Sequence, residues 1–204
     1  MSEKELDILY NHYCDSFSYL RSYIKNRDNV FYIALAILTF LFFQINNVET
    51  TFNISQALIN KGIGQVIKFD LNYLNSIFLV LFLSILIKYY QVNLLIERQY
   101  DYIHKLEKKL RKKINGFSIC RESNAYLDNY PLVLNGIHWI YTIVFPLLVL
   151  FWSFMKIRTE YLYFNRDLSF GFFIFDSLIV ILISLVTIFY FTWINFKDFK
   201  KKKK

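Results

Sequence analysis

Glycine and proline are scarce in this chain, with 5 Gly and 2 Pro among 204 residues, which leaves few positions for the tight turns of a β-rich protein. Hydrophobic residues make up 55% of the chain and fall into continuous runs instead of alternating with polar residues. A segment inside a bilayer must satisfy its own backbone hydrogen bonds, and continuous apolar runs do so as helices. The sequence therefore predicts an all-α integral membrane protein.

Cysteine and histidine are also few, at 2 and 3 residues, and the chain contains no nucleophile elbow, phosphate-binding glycine loop or paired-cysteine metal motif. We therefore expect no enzymatic activity and no cofactor. Cys14 and Cys120 are predicted to be reduced thiols on the cytosolic side. The first residues, MSEKELD, do not form the apolar segment of a cleavable signal peptide, so the first apolar run is expected to direct insertion.

Four apolar runs have about the length that a helix needs to cross the roughly 30 Å hydrocarbon core. We predict transmembrane helices at residues 29–46, 71–90, 136–155 and 172–194. Pro146 is expected to kink the third of them, because proline lacks a backbone donor. The segments around the spans are predicted to be a cytosolic amphipathic helix at 1–28, an external loop at 47–70, a helical extension at 91–114, a basic connection at 115–135, an external loop at 156–171 and a cytosolic polylysine tail at 195–204.

The second apolar run continues into a charged segment without a helix breaker. No Gly or Pro occurs between Leu71 and Ile114, and the first stop signal is the pair Asn115–Gly116. The sequence therefore predicts one long helix, half in lipid and half in the cytosol. Together with the N-terminal helix, the extension is predicted to form a cytosolic helical hairpin or coiled coil.

Apolar stripes on these two cytosolic helices are predicted to pack against each other or against a second copy. Their residues recur at three- and four-residue steps, which places them on one side of each helix. Because the first helix runs toward the membrane and the second away from it, we expect antiparallel packing, with Tyr10 and Tyr13 near Leu106 and Leu110. The predicted docking residues are Tyr13, Phe17, Leu20 and Ile24 on the first helix and Tyr100, Ile103, Leu106 and Leu110 on the second.

The distribution of basic residues predicts the orientation in the membrane. The segments before the first span, between the second and third, and after the fourth hold 18 Lys and Arg, against 5 in the other two connections. The positive-inside rule then places both termini in the cytosol, and we expect a bacterial cell membrane with an anionic inner leaflet. The net charge of +8 lies beside the spans, so we predict no specific nucleic acid partner.

Aromatic side chains near the span ends are predicted to anchor the helices at the lipid headgroups. They are Tyr89, Tyr90, Trp139, Trp152 and Trp193. Lys88 lies one turn from the predicted cytosolic exit of its span, where a lysine can extend its ammonium to the headgroups. An ion-pathway role for Lys88 is the alternative.

Asp176 is the one acidic residue inside a predicted span. An ionisable residue at such a position is a candidate functional group. Asp176–Ser177 also has the sequence of a helix N-cap, and we favour this cap, with the fourth span starting a turn later than residue 172. In that case Asp176→Asn is expected to be nearly neutral.

The extension carries a set of residues with metal-ligand spacing. Glu97, Asp101, His104 and Glu107 lie on neighbouring faces of one helix, and carboxylate-x-x-His spacing occurs in di-metal helical bundles. Such sites need ligands from more than one helix, and the first helix offers only His12 and Asp15. We therefore predict no metal site and interpret the charges as helix-stabilising pairs, such as Asp101 with Lys105.

Two functions fit these features. The first is a non-enzymatic membrane protein whose cytosolic helices mediate homo-oligomerisation or docking of a cytosolic protein. The alternative is an oligomeric pore or membrane-permeabilising effector, since the outline is similar to membrane-acting effectors of prokaryotic defence systems. Candidate pore-lining hydroxyls in the spans are Thr39, Ser84, Thr142, Ser184 and Thr187.

Overall fold

A computed structural model describes residues 3–64, 71–113, 136, 139–163 and 170–202. These residues are helical with short connections, and the described part of the chain contains no strand. Four of the helices are long and apolar enough to cross a membrane. The candidate spans are Lys4–Ile45, Tyr73–Lys112, Ile140–Leu162 and Gly171–Ile194.

The first helix, α1, is continuous from Glu3 to Asn46 and joins the predicted amphipathic segment to the predicted first span. Its sequence offers no Gly or Pro at which the two could separate. A single non-helical residue, Asn47, leads into α2 (Val48–Ile63), so much of the predicted external loop is a helix. Gly64 follows α2 as its C-cap. Its φ of 72° lies in the left-handed region that favours glycine, and its N–H donates to the Asn60 carbonyl.

The long third helix, α3 (Leu71–Lys113), ends within one residue of its predicted end. The predicted stop at Asn115–Gly116 lies outside the described residues. The run of 43 residues without a breaker gives a helix of about 65 Å at 1.5 Å per residue. The same continuous helix therefore supplies both an apolar and a charged segment.

A π-helical turn at Ile140–Val144 precedes α4 (Phe145–Tyr163). Within this turn the N–H of Phe145 donates to the carbonyl of Ile140, five residues back. Pro146 cannot donate to the carbonyl of Thr142, so a widened turn at this point accommodates the missing donor. The helix then continues past residue 155 into the segment predicted to be an external loop. The last helix, α5, runs from Phe170 to Lys202.

The chain divides into two compact units. In the first, residues 3–31 of α1 pack against residues 88–113 of α3, and we call this unit the helix pair. Its core contains Tyr13, Leu20, Val92, Ile96, Ile103, Leu106 and Leu110. Contacts run in opposite directions along the two helices, since Phe31 lies against Tyr89 and Tyr13 against Glu107. The two helices are therefore antiparallel.

The second unit holds residues 32–87 and the described residues from 139 to 202. Aromatic contacts join its helices: Phe82 of α3 meets Trp152 of α4 edge-on, with ring centroids 5.5 Å apart. The ring centroids of Phe40 on α1 and Phe78 on α3 are 4.8 Å apart. Trp152 and Phe82 are fully buried, so this aromatic pair forms part of the centre of the unit.

Candidate functional site

Six polar side chains from three helices meet inside the second unit. Asn75 and Ser76 come from the second turn of α3, Lys156 and Glu160 from the C-terminal half of α4, and Asp176 and Ser177 from the second turn of α5. We call this group the polar cluster. Its members lie among helices that are apolar enough to cross a membrane, where isolated polar groups are costly. Each member therefore requires a partner in the protein.

Asp176 is the most deeply buried member, with 2% of its surface exposed. Its Oδ2 accepts a hydrogen bond of 2.5 Å from Nδ2 of Asn75, and its Oδ1 accepts one of 2.5 Å from Oγ of Ser76. Both donors are on α3. Each oxygen of the carboxyl group is therefore used, and α5 is joined to α3 by two side-chain hydrogen bonds.

Lys156 and Glu160 connect α4 to the same site. The ammonium of Lys156 lies 3.2 Å from Oε1 of Glu160 and donates to Oδ1 of Asn75 at 3.3 Å. Oγ of Ser177 donates to Oε2 of Glu160 at 3.5 Å. Asn75 thus bridges Lys156 and Asp176: its amide oxygen accepts from Lys156 and its amide nitrogen donates to Asp176.

The position of Asp176 corrects the expectation from the sequence. Helix α5 begins at Phe170, so Asp176 lies within the helix and does not cap its start. Its side chain accepts from another helix instead of from the first N–H groups of its own. The cap interpretation required the fourth span to begin about one turn later than the predicted start at residue 172, whereas α5 begins two residues before that start.

Sequence reasoning missed the other members of the cluster. Lys156 and Glu160 fell in the predicted external loop at 156–171, but α4 continues through both. Their spacing of four residues was an available signal, because side chains four apart on a helix are neighbours. A lone acidic residue in a neighbouring span was the second signal that a basic partner should be sought.

The helix pair brings the predicted docking residues together. Tyr13 and Leu20 pack with Ile103, Leu106 and Leu110 in its core. Phe17, Ile24 and Tyr100 are partly buried against that core. Tyr10 is 51% exposed and lies outside it, and its place in the stripe is taken by Leu9.

Polar contacts fix the register of the helix pair. Nε2 of His12 lies 2.5 Å from the hydroxyl of Tyr102, and Nε2 of Gln99 donates to the carbonyl of Ser16 at 3.0 Å. The hydroxyl of Tyr13 donates to Oε1 of the buried Glu107 at 3.2 Å. Glu107 therefore takes part in the contact between the two helices.

The residues with metal-ligand spacing lie on α3 within the helix pair. Nδ1 of His104 is 3.7 Å from Oε2 of Glu107. Glu97 and Asp101 are partly exposed on the same helix. Within the ranges that the structure describes, no three His, Cys, Asp or Glu side chains are grouped as metal ligands.

The predicted interface anchors divide into two groups. Trp139 and Trp193 are 61% and 56% exposed. Tyr89, Tyr90 and Trp152 are buried, with Tyr89 against Phe31 and Trp152 against Phe82, so the structure gives these three a packing position instead of an anchoring one. Lys88 is exposed.

Comparison with known proteins adds no further assignment. The chain matches no protein-family model, no curated protein sequence and no solved structure.

Proposed function

We propose that the chain is a non-enzymatic, four-span membrane protein whose cytosolic helix pair mediates association with further copies of the chain or docking of a cytosolic protein. The exposure of large apolar side chains supports insertion. Side chains such as Phe154, Leu178 and Phe189 are 66%, 55% and 67% exposed on the candidate spans. A water-soluble protein rarely exposes so continuous an apolar surface, whereas lipid covers it without cost.

The orientation follows from the charge distribution. With both termini inside, the helix pair and the polylysine tail share the cytosolic side with most of the Lys and Arg residues. The steps of three, four and seven residues between Val92, Ile96, Ile103, Leu106 and Leu110 in the core of the pair support a coiled coil as the form of this extension. An extension of this kind is stable in water, because each helix covers the apolar stripe of the other.

We expect reporter fusions after Lys204 and at Lys61 to report opposite sides of the membrane. In this topology the chain crosses the bilayer once between the N-terminus and α2, and three times between α2 and the C-terminus. A fusion before Glu3 serves as the control and should agree with the fusion after Lys204. Identical signals from the fusions at Lys61 and Lys204 would contradict the four-span arrangement.

The observation that carries the docking proposal is the opposite net charge of the exposed side chains on residues 4–15 of α1 and residues 98–112 of α3. The exposed charged residues of 98–112 are all basic, whereas those of 4–15 are three acidic residues and Lys4. The basic set includes Arg98, Lys105, Lys109 and Lys112, and the acidic set is Glu5, Asp7 and Asp15. The core of the helix pair uses the apolar stripes within the chain, and charge complementarity between copies is an interaction that these outer surfaces can make.

Native mass measurement of the full chain in lipid nanodiscs tests this association. We expect assemblies of several chains at low salt and their dissociation at high salt, because exposed charge pairs are screened. Asp7→Lys with Asp15→Lys should abolish assembly, and the further exchange of Lys105→Glu with Lys109→Glu should restore it. A single chain per particle at every salt concentration would leave a cytosolic partner as the remaining form of the proposal.

An oligomeric pore is the alternative function. Four of the candidate pore-lining hydroxyl groups are engaged within their own helices: those of Thr39, Ser84, Ser184 and Thr187 donate to carbonyls four residues back. This arrangement supports a packing role over a hydrated lining. A fall in membrane potential on expression in bacteria, followed with a dye, would favour the pore.

A further inference from the structure

We infer that the polar cluster is a proton-binding site, which holds one proton on its two carboxyl groups while the chain is in the membrane. The inference rests on the proposed function insofar as the helices that form the cluster are taken to be inserted in lipid. Its evidence is separate from that for docking, because it depends on the charges and contacts of the second unit alone.

The charges of the cluster do not balance when every group is ionised. Asp176 and Glu160 would carry two negative charges, and Lys156 supplies one positive charge. The other helical segments of the unit do not correct this difference: residues 32–46 of α1 and 71–87 of α3 contain no charged residue, and Asp176 is the only one between 170 and 194 of α5. On α4, Arg158 lies on the exposed surface, as does Lys61 on α2, and the other charged residue of α2, Glu49, adds no positive charge.

A buried net charge is expensive in an apolar environment. Asp176 and Glu160 are 2% and 6% exposed, so water cannot solvate the surplus charge. The cost of leaving one charge uncompensated inside a protein is several kcal/mol, and it is larger in lipid. Two carboxyl groups that share a site generally resolve this conflict by retaining one proton between them.

The contacts favour a proton over a metal cation. Both oxygens of Asp176 already accept hydrogen bonds from α3, and Oδ1 of Asn75 is occupied by Lys156. A sodium ion would need several of these oxygens as ligands at once, and the described residues provide no group of three or more acidic, His or Cys side chains around a common point. A proton needs only one carboxyl oxygen.

The position of the site gives the proton a structural role. The cluster connects α3, α4 and α5 at one end of their apolar segments, and its bonds include the three pairs Asn75–Asp176, Lys156–Asn75 and Ser177–Glu160. Loss of the proton would leave two negative charges beside one ammonium and would weaken the connection between these helices. Proton binding therefore stabilises their packing.

Infrared spectroscopy of the full chain in lipid bilayers tests the inference through the C=O stretching band of a protonated carboxylic acid. We expect the wild type to show this band at neutral pH, corresponding to one acid group per chain. Asp176→Asn and Glu160→Gln should each abolish it, because removal of either carboxyl group leaves one negative charge balanced by Lys156. Lys156→Met should double it, because both carboxyl groups then need a proton. Glu97→Gln, on the helix pair, is the control and should leave the band unchanged.

Several results would overturn the assignment. They are the absence of the band in the wild type at neutral pH, its persistence in both Asp176→Asn and Glu160→Gln, and its disappearance when sodium is added at constant pH, which would show that the site takes a metal cation. The wild-type spectrum is decisive even if a variant fails to fold. Membrane insertion is established independently by the reporter fusions, so failure of the four-span topology and failure of proton binding give different results.

Discussion

Replacing Lys156 with Met is expected to lower the free energy of unfolding of the full chain by about 3–5 kcal/mol at neutral pH. The change removes the only ammonium of the polar cluster and leaves the carboxyl groups of Glu160 and Asp176 buried without a positive partner. Breaking a buried ion pair by removing one member has a cost of this size, because the remaining charge is uncompensated. Methionine keeps the length of the side chain, so the loss of packing is small.

Arg158→Met is the matched control for this substitution. Arg158 lies two residues away on α4 but is exposed, and its replacement should change the free energy of unfolding by less than about 0.5 kcal/mol. The loss for Lys156→Met should shrink as the pH is lowered, since the folded variant holds a proton on each carboxyl group and therefore binds more protons than the unfolded chain. Equal effects of the two substitutions in denaturant titrations would show that Lys156 has no electrostatic role in the fold.

Truncation of Ile103 to Ala is expected to have the largest effect in the helix pair, at about 2–5 kcal/mol. Ile103 is fully buried between α1 and α3, and the smaller side chain leaves a cavity where Tyr13 and Leu20 contribute to the same core. The consequence should be local: faster hydrogen exchange of backbone amides in residues 3–31 and 88–113, because these segments depend on one apolar core.

Leu95→Ala provides the comparison for Ile103→Ala. Leu95 is on the same helix, eight residues earlier, and is 40% exposed, so its truncation removes little buried surface. Exchange rates in the helix pair should then stay close to those of the wild type. If Ile103→Ala and Leu95→Ala had the same small effect, the packing of α1 on α3 would contribute little to stability.

Local sequence rules predicted the helices well and their contacts less well. The end of α3 was predictable because the helix-breaking residues first appear just after it. The absence of Gly and Pro also explains why α1 is continuous. Hydropathy, however, reports only where a helix is apolar. It ended the third span before Lys156, although a helix can carry a charge into the apolar region when partners are available, here Glu160 on the same helix and Asn75 on α3.

The polar cluster could not be derived from the sequence because its members are far apart in the chain. Asn75 and Asp176 are separated by 101 positions, and the residues next to each of them in the sequence do not indicate that the two are in contact. The prediction of antiparallel stripes required only that two adjacent helices cover their apolar sides. Tyr10 was misplaced because a stripe read at fixed steps cannot distinguish it from Leu9, which is one residue away and takes the buried position.

The π turn at Ile140–Val144 has a consequence for how mutations in the third apolar helix act. A π turn holds one residue more than the α-helical turn it replaces, so side chains before it are displaced by about 100° around the axis relative to an uninterrupted helix. A helical wheel drawn through residues 136–155 therefore mixes two different faces. Residues on the two sides of the turn that nearly share a wheel position, such as Trp139 and Leu150, therefore lie in different surroundings: Trp139 is exposed and Leu150 is partly buried. The effects of substitutions at such positions must be interpreted separately.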